Sequence, residues 1–396
     1  MTETRRTDLA AVQEMIARLV SFDTVSDRPN RALIDWMQGY LAARGVPTRL
    51  FPDARGEKAN LLATFGPPGP GGIVLSGHSD VVPVDGQDWD SDPFTLRVEN
   101  GRLYGRGTAD MKSFLAIVLA LADEFLSRPL KRPIHLLASY DEEVGCTGVR
   151  SALPALKAPD VDPLAIIVGE PTSMQVCSAH KGIHAFRTTV TGLEAHSSQT
   201  DRGVNAVAVA ARIIGFLERM AAERVAAADP GNGFSPPYST IHVGVIRGGT
   251  ALNIIPRTCS FEWEIRPLPD DDPQPIIERL EAFVAEEILP AMHAVSPKTG
   301  VTTEALVWIP ALRKEPGNAA ETLAMHLAGT NATHVVAYGA EAGLFQQNGT
   351  PTVLCGPGDI AQAHQPNEFI TLAQVEACMA FMRRLMDWAE QTPAQG

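Results

Sequence analysis

Side chains able to bind a metal ion or carry a proton recur just past short apolar segments and Gly-rich turns of this sequence. They are His78, Asp80, Asp110, Asp141, Glu142, Glu143, Glu170 and His364. Residues beyond the carboxyl ends of strands in an open α/β sheet converge on one crevice. We therefore expect two histidines and several carboxylates, drawn from five separate segments, to meet at one site.

The donor types predict which cation such a site would hold. Imidazole with carboxylates and no thiolate suits zinc, cobalt, manganese or nickel, whereas calcium and magnesium prefer oxygen ligands throughout. The adjacent carboxylates of SYDEEVG also need a cation, because neighbouring like charges repel and resist burial. Two ions require a bridging carboxylate, plus one further carboxylate and one histidine each. The sequence supplies that set as His78, Asp110, Glu143, Glu170 and His364.

Glu142 is left outside this set, so it is free to act as a general base, and Asp80 is placed to orient the His78 imidazole. Each residue also has an ordinary explanation. A single histidine past a strand is usually a hydrogen-bonded loop residue, Asp110 could cap a helix, and the acidic triplet could be an exposed turn. The coincidence of five such segments favours the metal site.

Hydrophobic patterning indicates the elements that must position these side chains. Short apolar runs such as GGIVLSG, IHLLASY and LAIIVGE alternate with helical segments, which predicts an α/β domain with a helix-covered, mostly parallel sheet. Between about residues 182 and 312 the pattern becomes a two-layer βαββαβ sandwich. We therefore predict a metal-binding catalytic domain over residues 1–181 and 313–396. Residues 182–312 would form an inserted lid and dimerisation domain, whose helix VNAVAVAARIIGFL is apolar on more than one face.

Length and composition limit the possible partners. The chain of 396 residues is long enough for two domains, and its net charge of -13 disfavours nucleic acid and anionic membranes, which need a basic surface. No segment approaches the roughly 20 apolar residues that span a bilayer. The N-terminal segment lacks the apolar core typical of a signal peptide, and five widely spaced cysteines suit buried, reduced thiols. We expect a cytoplasmic protein with a small-molecule partner.

Five motifs connect the sequence to a known family. In order and approximate spacing, GHSDVVP, YGRGTADMKS, YDEEVG, VGEPT and AHQPNE resemble the metal-site motifs of the di-zinc aminoacylase/carboxypeptidase family, a group of metallopeptidase-like amidohydrolases. The resemblance covers nearly the whole chain, including the insertion. It implies two divalent metal ions, with zinc the expected metal and cobalt the alternative.

The resemblance also assigns a role to each residue of the predicted metal site. Asp110 would bridge the two ions. His78 and Glu170 would complete the ligands of the first ion, and Glu143 and His364 those of the second.

Further roles implied by the resemblance concern catalysis and substrate binding. Glu142 would be the catalytic base, and Asp80 would orient the first histidine. In the insertion, His196 of GLEAHSSQ would reach the substrate carbonyl, often from the partner subunit of a homodimer. Asn253 of GGTALNIIP and Arg266 of EIRPLP would contact the substrate carboxylate. Without the resemblance, these three residues of the insertion would be interpreted as surface or turn residues.

Two segments, YGAEAGLFQ and CGPGDIAQAHQPNEF, look most like the acetylornithine deacetylase branch of the family, although Ala340 replaces a threonine that is common there. The expected reaction is metal-dependent hydrolysis of an N-acyl amino acid, with N-acetylornithine giving ornithine and acetate for arginine biosynthesis. The alternatives are a related deacylase acting on N-succinyl-diaminopimelate or another N-acyl amino acid, a dipeptidase or carboxypeptidase, and a metal-binding relative without catalysis. Retention of Glu142 beside a full ligand set favours an enzyme.

Overall fold

The structure is a computed structural model and describes residues 3–392. The strands of this described range are β1 (Thr48–Pro52), β2 (Ala59–Phe65), β3 (Ile73–His78), β4 (Arg97–Glu99), β5 (Arg102–Tyr104), β6 (Ile134–Ser139), β7 (Ala165–Pro171), β8 (Cys177–His180), β9 (Ile183–Thr191), β10 (Thr240–Gly248), β11 (Thr258–Arg266), β12 (Gly300–Ile309), β13 (His334–Val336), β14 (Thr352–Gly356) and β15 (Phe369–Thr371).

Helices lie between most of these strands. The α-helices of the same range are α1 (Glu3–Val20), α2 (Arg31–Ala42), α3 (Lys112–Ala120), α4 (Ala122–Ser127), α5 (Ala206–Ala226), α6 (Gln274–Phe283), α7 (Leu289–Val295), α8 (Ala319–Ala328), α9 (Ala342–Gln347) and α10 (Leu372–Ala389). A π-helical turn over Val284–Ile288 joins α6 to α7. None of the helices in the described range combines the length and apolarity needed to cross a bilayer.

The chain divides into two compact units. The large unit contains the described residues up to Ala179, Leu312–His334, and the described residues from Ala340 onward. The inserted unit contains His180–Ala311 and Val335–Gly339. The last of these segments differs from the predicted division, which left all of residues 313–396 in the catalytic domain. It belongs to the inserted unit because Gly339 lies so close to Ile183 that a Cβ on the glycine would stand 2.7 Å from the Ile183 side chain.

An eight-stranded sheet runs in the order β1-β2-β6-β3-β7-β14-β8-β13, and its first six strands lie wholly within the large unit. Its four central strands, β6, β3, β7 and β14, are parallel, while β1, β2 and β8 join it in antiparallel pairings. Every residue of the four central strands is buried, as expected for strands covered on both faces. Helix α3 packs against α1, α10 and the central strand β3. The predicted helix-covered, mostly parallel sheet is therefore confirmed in its central strands.

The inserted unit has the predicted βαββαβ order, with α6 and α7 together forming the second helical segment. Its sheet runs β10-β11-β9-β12, and every pairing is antiparallel. Strands β9 and β11 alternate between buried and half-exposed residues, because one face packs against the helices and the other is open. Strand β10 lies at an edge of this sheet.

Candidate metal centre

The parallel strands of the large unit bring the predicted ligands to one edge of its sheet. His78 is the last residue of β3, Glu170 lies near the end of β7, and the acidic triplet follows β6 directly. Asp110 comes just before α3, where Met111 is the N-cap residue and no side chain caps the helix. The simple helix-cap explanation of Asp110 therefore does not apply.

Two groups of potential metal ligands share one carboxylate. The first group is His78, Asp110 and Glu170, and the second is Asp110, Glu143 and His364. Within each group the donor atoms lie within 4.8 Å of one another. Asp110 divides its oxygens between the groups, with Oδ1 2.9 Å from His78 Nε2 and Oδ2 3.5 Å from His364 Nε2. The structure thus brings together all five side chains of the predicted ligand set.

The protonation of His78 indicates that a cation belongs in the first group. Its Nδ1 lies 2.9 Å from the main-chain oxygen of Asp80, so Nδ1 carries a proton that it donates to this carbonyl. The lone pair of Nε2 then faces Asp110 Oδ1, which is also an acceptor. Two acceptors at this distance need a proton or a metal ion between them. Oxygen Oε1 of Glu170 is buried without a hydrogen-bond partner, which is expected of an oxygen that binds a metal ion.

Charge in the second group leads to the same interpretation. Burial, followed by repulsion from Asp110, raises the pKa of Glu143 to about 7. Hydrogen bonds that the protonated His364 ring donates to Asp110 and Glu143 raise its pKa to about 10. Burial and the Asp110 charge also raise the pKa of Glu170 well above its usual value. Divalent ions would offset the cost of burying these neighbouring carboxylates by supplying positive charge, so the residues fit a pair of such ions.

Asp80 organises the site differently from the predicted arrangement. Its main-chain oxygen, rather than its carboxylate, receives the hydrogen bond from His78, whose Nδ1 is 3.7 Å from Asp80 Oδ1. The carboxylate accepts the backbone N–H groups of Glu142 at 3.2 Å and Glu143 at 3.3 Å. The Ser26 hydroxyl also donates to it, at 2.7 Å. One residue therefore holds both the histidine and the acidic loop.

The acidic triplet separates into three environments. Asp141 forms an ion pair with Lys58, whose ammonium group also donates to a main-chain oxygen. Glu143 belongs to the second ligand group. Glu142 belongs to neither group, and its Oε1 accepts a hydrogen bond from the Cys146 thiol at 3.4 Å. Burial, followed by the charge of Glu170, raises the pKa of Glu142 well above its usual value, which is a property of a proton acceptor in a dry site.

The three predicted substrate-contacting residues lie in the inserted unit, at two separate places. His196 and Ile254 form a β-bridge, and the Ser197 N–H donates to the Asn253 oxygen at 3.1 Å, so His196 and Asn253 belong to neighbouring loops. Both residues are exposed. Arg266 ends β11 and is paired with Glu264 at 2.8 Å. The loop that carries Asn253 precedes the first residue of β11, whereas Arg266 is the last residue of this strand. At about 3.3 Å per residue, the two ends of β11 are roughly 26 Å apart.

Sequence patterns missed two buried carboxylates near the site. Glu341 is 1% exposed, accepts a weak hydrogen bond from Ser76 at 3.5 Å, and has a pKa raised by burial to about 7. Glu368 is also 1% exposed and accepts the N–H of Asp110 at 3.0 Å. The available signal was weak, since each is a single acidic residue beside an apolar segment.

Comparison with known proteins places this arrangement in a family. Residues 74–388 match the family described as Peptidase family M20/M25/M40. The chain belongs to this family. The M20 assignment confirms the resemblance carried by the five sequence motifs and makes the protein a metal-dependent hydrolase with a site for two divalent ions.

Curated relatives of this M20 protein align over most of its length. An acetylornithine deacetylase of Myxococcus xanthus is 37% identical over 388 residues, which cover 95% of this chain and 97% of the relative. An acetylornithine deacetylase of Pasteurella multocida is 34% identical, with 94% of this chain and 96% of the relative covered.

Solved structures share the fold at lower identity. A Staphylococcus aureus tripeptidase has a TM-score of 0.74 at 18% identity, covering 96% of this chain and 98% of its own. Human carnosine dipeptidase 1 has a TM-score of 0.70 at 16% identity, with 97% of this chain and 100% of its own covered. A dinuclear metal-binding M20 peptidase of Bacillus subtilis has a TM-score of 0.66 at 16% identity, covering 98% of this chain and 100% of its own. The two-unit architecture is therefore the fold of M20 peptidases.

Proposed function

We propose that this M20 hydrolase cleaves the amide bond of an N-acyl amino acid, and that its substrate is N-acetylornithine. The observation that carries the proposal is Glu142, a half-buried carboxylate that lies outside both ligand groups but beside them. The names and 34–37% identities of the curated relatives support the choice of substrate. The segments YGAEAGLFQ and CGPGDIAQAHQPNEF agree with this choice. The products are ornithine and acetate, which places the enzyme in arginine biosynthesis.

In this mechanism each ligand group would hold one divalent ion, with Asp110 serving as a ligand in both groups. Two such ions, when bound, polarise the amide carbonyl and lower the pKa of water. Glu142 removes a proton from the attacking water and returns it to the departing amine. The Asp80 carboxylate and the Cys146 thiol hold Glu142 in place for both transfers. His196 donates to the developing oxyanion, and Asn253 and Arg266 bind the substrate carboxylate.

We also propose that the protein is a homodimer joined through its inserted unit. Asn253 and Arg266 lie near opposite ends of β11, a separation much longer than an N-acyl amino acid. A single inserted unit therefore cannot bring both residues to one substrate, whereas two copies can contribute one residue each. The edge strand β10 supports this interface, because Val245 is 36% exposed and Ile246 is 52% exposed on it.

Zinc is the proposed resident metal, with cobalt as the alternative, because the site combines imidazole and carboxylate donors. The proposed location is the cytoplasm. All five cysteines are free and buried, which suits a reducing compartment. The net charge of -13 supports a small-molecule partner rather than nucleic acid.

The test measures amine release from N-acetylornithine, other N-acetyl amino acids, N-succinyl-diaminopimelate and simple dipeptides, by the chelated protein and after zinc or cobalt is restored. Metal-dependent preference for N-acetylornithine supports the proposal, and preference for another substrate rejects that choice. Glu142→Gln should lower kcat by about 10²–10⁴-fold while two ions still bind, because only proton transfer is removed. Near-normal turnover by this variant would reject Glu142 as the base.

A further inference from the structure

A buried ion pair lies behind the ligand groups of the large unit. The Arg106 guanidinium contacts the Glu368 carboxylate at 2.7 Å, and both side chains are 1% exposed. Burying such a pair removes water from both charges, and because of this desolvation its presence is weak evidence of added stability. The other hydrogen bonds of the two side chains indicate what the pair does.

Glu368 uses both of its oxygens to bind the turn that carries Asp110. Oxygen Oε1 accepts the N–H groups of Ala109 at 2.8 Å and Asp110 at 3.0 Å. Oxygen Oε2 accepts the N–H of Gly107 at 3.1 Å in addition to the Arg106 contact. These three hydrogen bonds fix the backbone from Gly107 to the shared carboxylate ligand Asp110.

Arg106 extends the connection toward His364. Its guanidinium donates to the side-chain oxygen of Gln87 at 2.5 Å and to the main-chain oxygen of Gln365 at 3.4 Å. The Gln87 amide in turn donates to the main-chain oxygen of His364 at 2.9 Å. A continuous series of hydrogen bonds thus runs from the Asp110 backbone, through Glu368, Arg106 and Gln87, to the His364 backbone.

The two ligand groups depend on this series to different degrees. His78 ends a buried central strand and is held by the Asp80 main chain. His364 lies in the loop between β14 and β15, and its side chain is 51% exposed. The hydrogen-bond series therefore fixes the spacing of ligands in the second group, while the first histidine is positioned without it.

We propose that Arg106, Glu368 and Gln87 are positioning residues that set the affinity of the Asp110–Glu143–His364 group for its metal ion. The ion held by His78 and Glu170 depends on them less, because its ligand group shares only Asp110 with this hydrogen-bond series. The inference rests on the proposed two-metal site. Hydrogen-bond partners of metal ligands typically change metal affinity by about 10–100-fold when they are removed.

The test compares zinc binding by Glu368→Gln and wild-type protein, using the chelated protein titrated against a chromophoric zinc chelator. Glutamine keeps the shape of the side chain, but its NH2 group cannot accept the backbone N–H bonds that the carboxylate accepts. We expect the ion of the Asp110–Glu143–His364 group to bind about 10–100-fold more weakly, with a clearly smaller loss of affinity at the other ion. Glu124→Gln is the matched control, since it breaks the Arg383–Glu124 pair elsewhere in the large unit and should keep both affinities.

His364→Ala identifies which ion is affected, because it removes a ligand of the second group alone. Adding Glu368→Gln to His364→Ala should weaken the remaining ion by less than Glu368→Gln alone weakens the ion of the second group. Gln87→Ala provides a milder perturbation if Glu368→Gln does not fold, with an expected loss of about tenfold at the same ion. Equal weakening of both ions, or unchanged binding of both, would overturn the positioning role. Wild-type protein that binds fewer than two ions would overturn the two-metal proposal itself.

Discussion

Removal of the Cys146 thiol should slow catalysis without emptying the metal site. Cys146 is buried in a left-handed backbone conformation, with φ of 51°, and its thiol donates to Glu142 Oε1 at 3.4 Å. Burial, followed by the Glu142 charge, raises the pKa of the thiol well above its usual value, so it remains a proton donor. We expect Cys146→Ala to leave the Glu142 carboxylate free to adopt unproductive orientations.

The size of the effect follows from the strength of this hydrogen bond. Bonds to charged groups contribute about 1.5–3 kcal/mol, and a thiol is a weak donor, so a contribution of about 1–1.5 kcal/mol is appropriate. If that free energy is lost mainly in the transition state, kcat should fall by about 5–12-fold. KM should change by less than about twofold, because the thiol does not contact substrate.

The assay measures kcat, KM and bound zinc for Cys146→Ala and Cys146→Ser on N-acetylornithine. Serine retains a donor at this position, so Cys146→Ser should recover most of the lost rate. Wild-type kcat in the alanine variant would refute the orienting role. Equal loss in both variants with reduced zinc content would indicate a packing defect instead.

Three further predictions concern stability. Burial lowers the pKa of His135 to about 4, whereas the pKa of a histidine in the unfolded chain is about 6.5. Between these pH values the unfolded state binds more protons than the folded state. The free energy of unfolding should therefore fall by about 3 kcal/mol as the pH is lowered from about 6.5 to about 4. His135→Gln should remove that part of the pH dependence in denaturant titrations, and an unchanged profile would contradict it. Lys58→Met leaves Asp141 without its ion-pair partner and should lower the free energy of unfolding by about 3 kcal/mol, whereas an unchanged denaturation midpoint would reject this pair as stabilising. In Gly169→Ala the new Cβ would stand 2.2 Å from the Phe114 ring, so a thermal melt should show a loss of about 1–3 kcal/mol, and a wild-type melt would show that the ring moves freely.

Sequence patterns located the elements of the site because the physical signals were local. A buried parallel strand is a continuous apolar run, so the first polar residue after it marks a strand end, as with His78 and Glu170. The change to alternating patterning likewise predicted the βαββαβ insertion. These signals need only the period of hydrophobic residues and the types of their neighbours.

Contacts between distant segments could not be predicted in this way. The Asp80 carboxylate binds the backbone of Glu142 and Glu143, which follow a different strand. Glu368 binds Asp110 across 258 residues of sequence. These hydrogen-bond partners depend on which strands become neighbours in the sheet. The order of strands in a sheet cannot be predicted from the local patterns of a single sequence.

The position of β14 has a consequence for how the protein is made. This strand pairs with β7 near the middle of the large sheet, yet the inserted unit separates the two in the chain. A ribosome therefore finishes all of the inserted unit, which ends at Gly339, before β14 can complete the large sheet. Domains generally fold as units during synthesis, and pairing between distant segments is slow. We expect the inserted unit to fold first, while the incomplete sheet keeps apolar strands exposed until β14 and the loop that carries His364 have been synthesised.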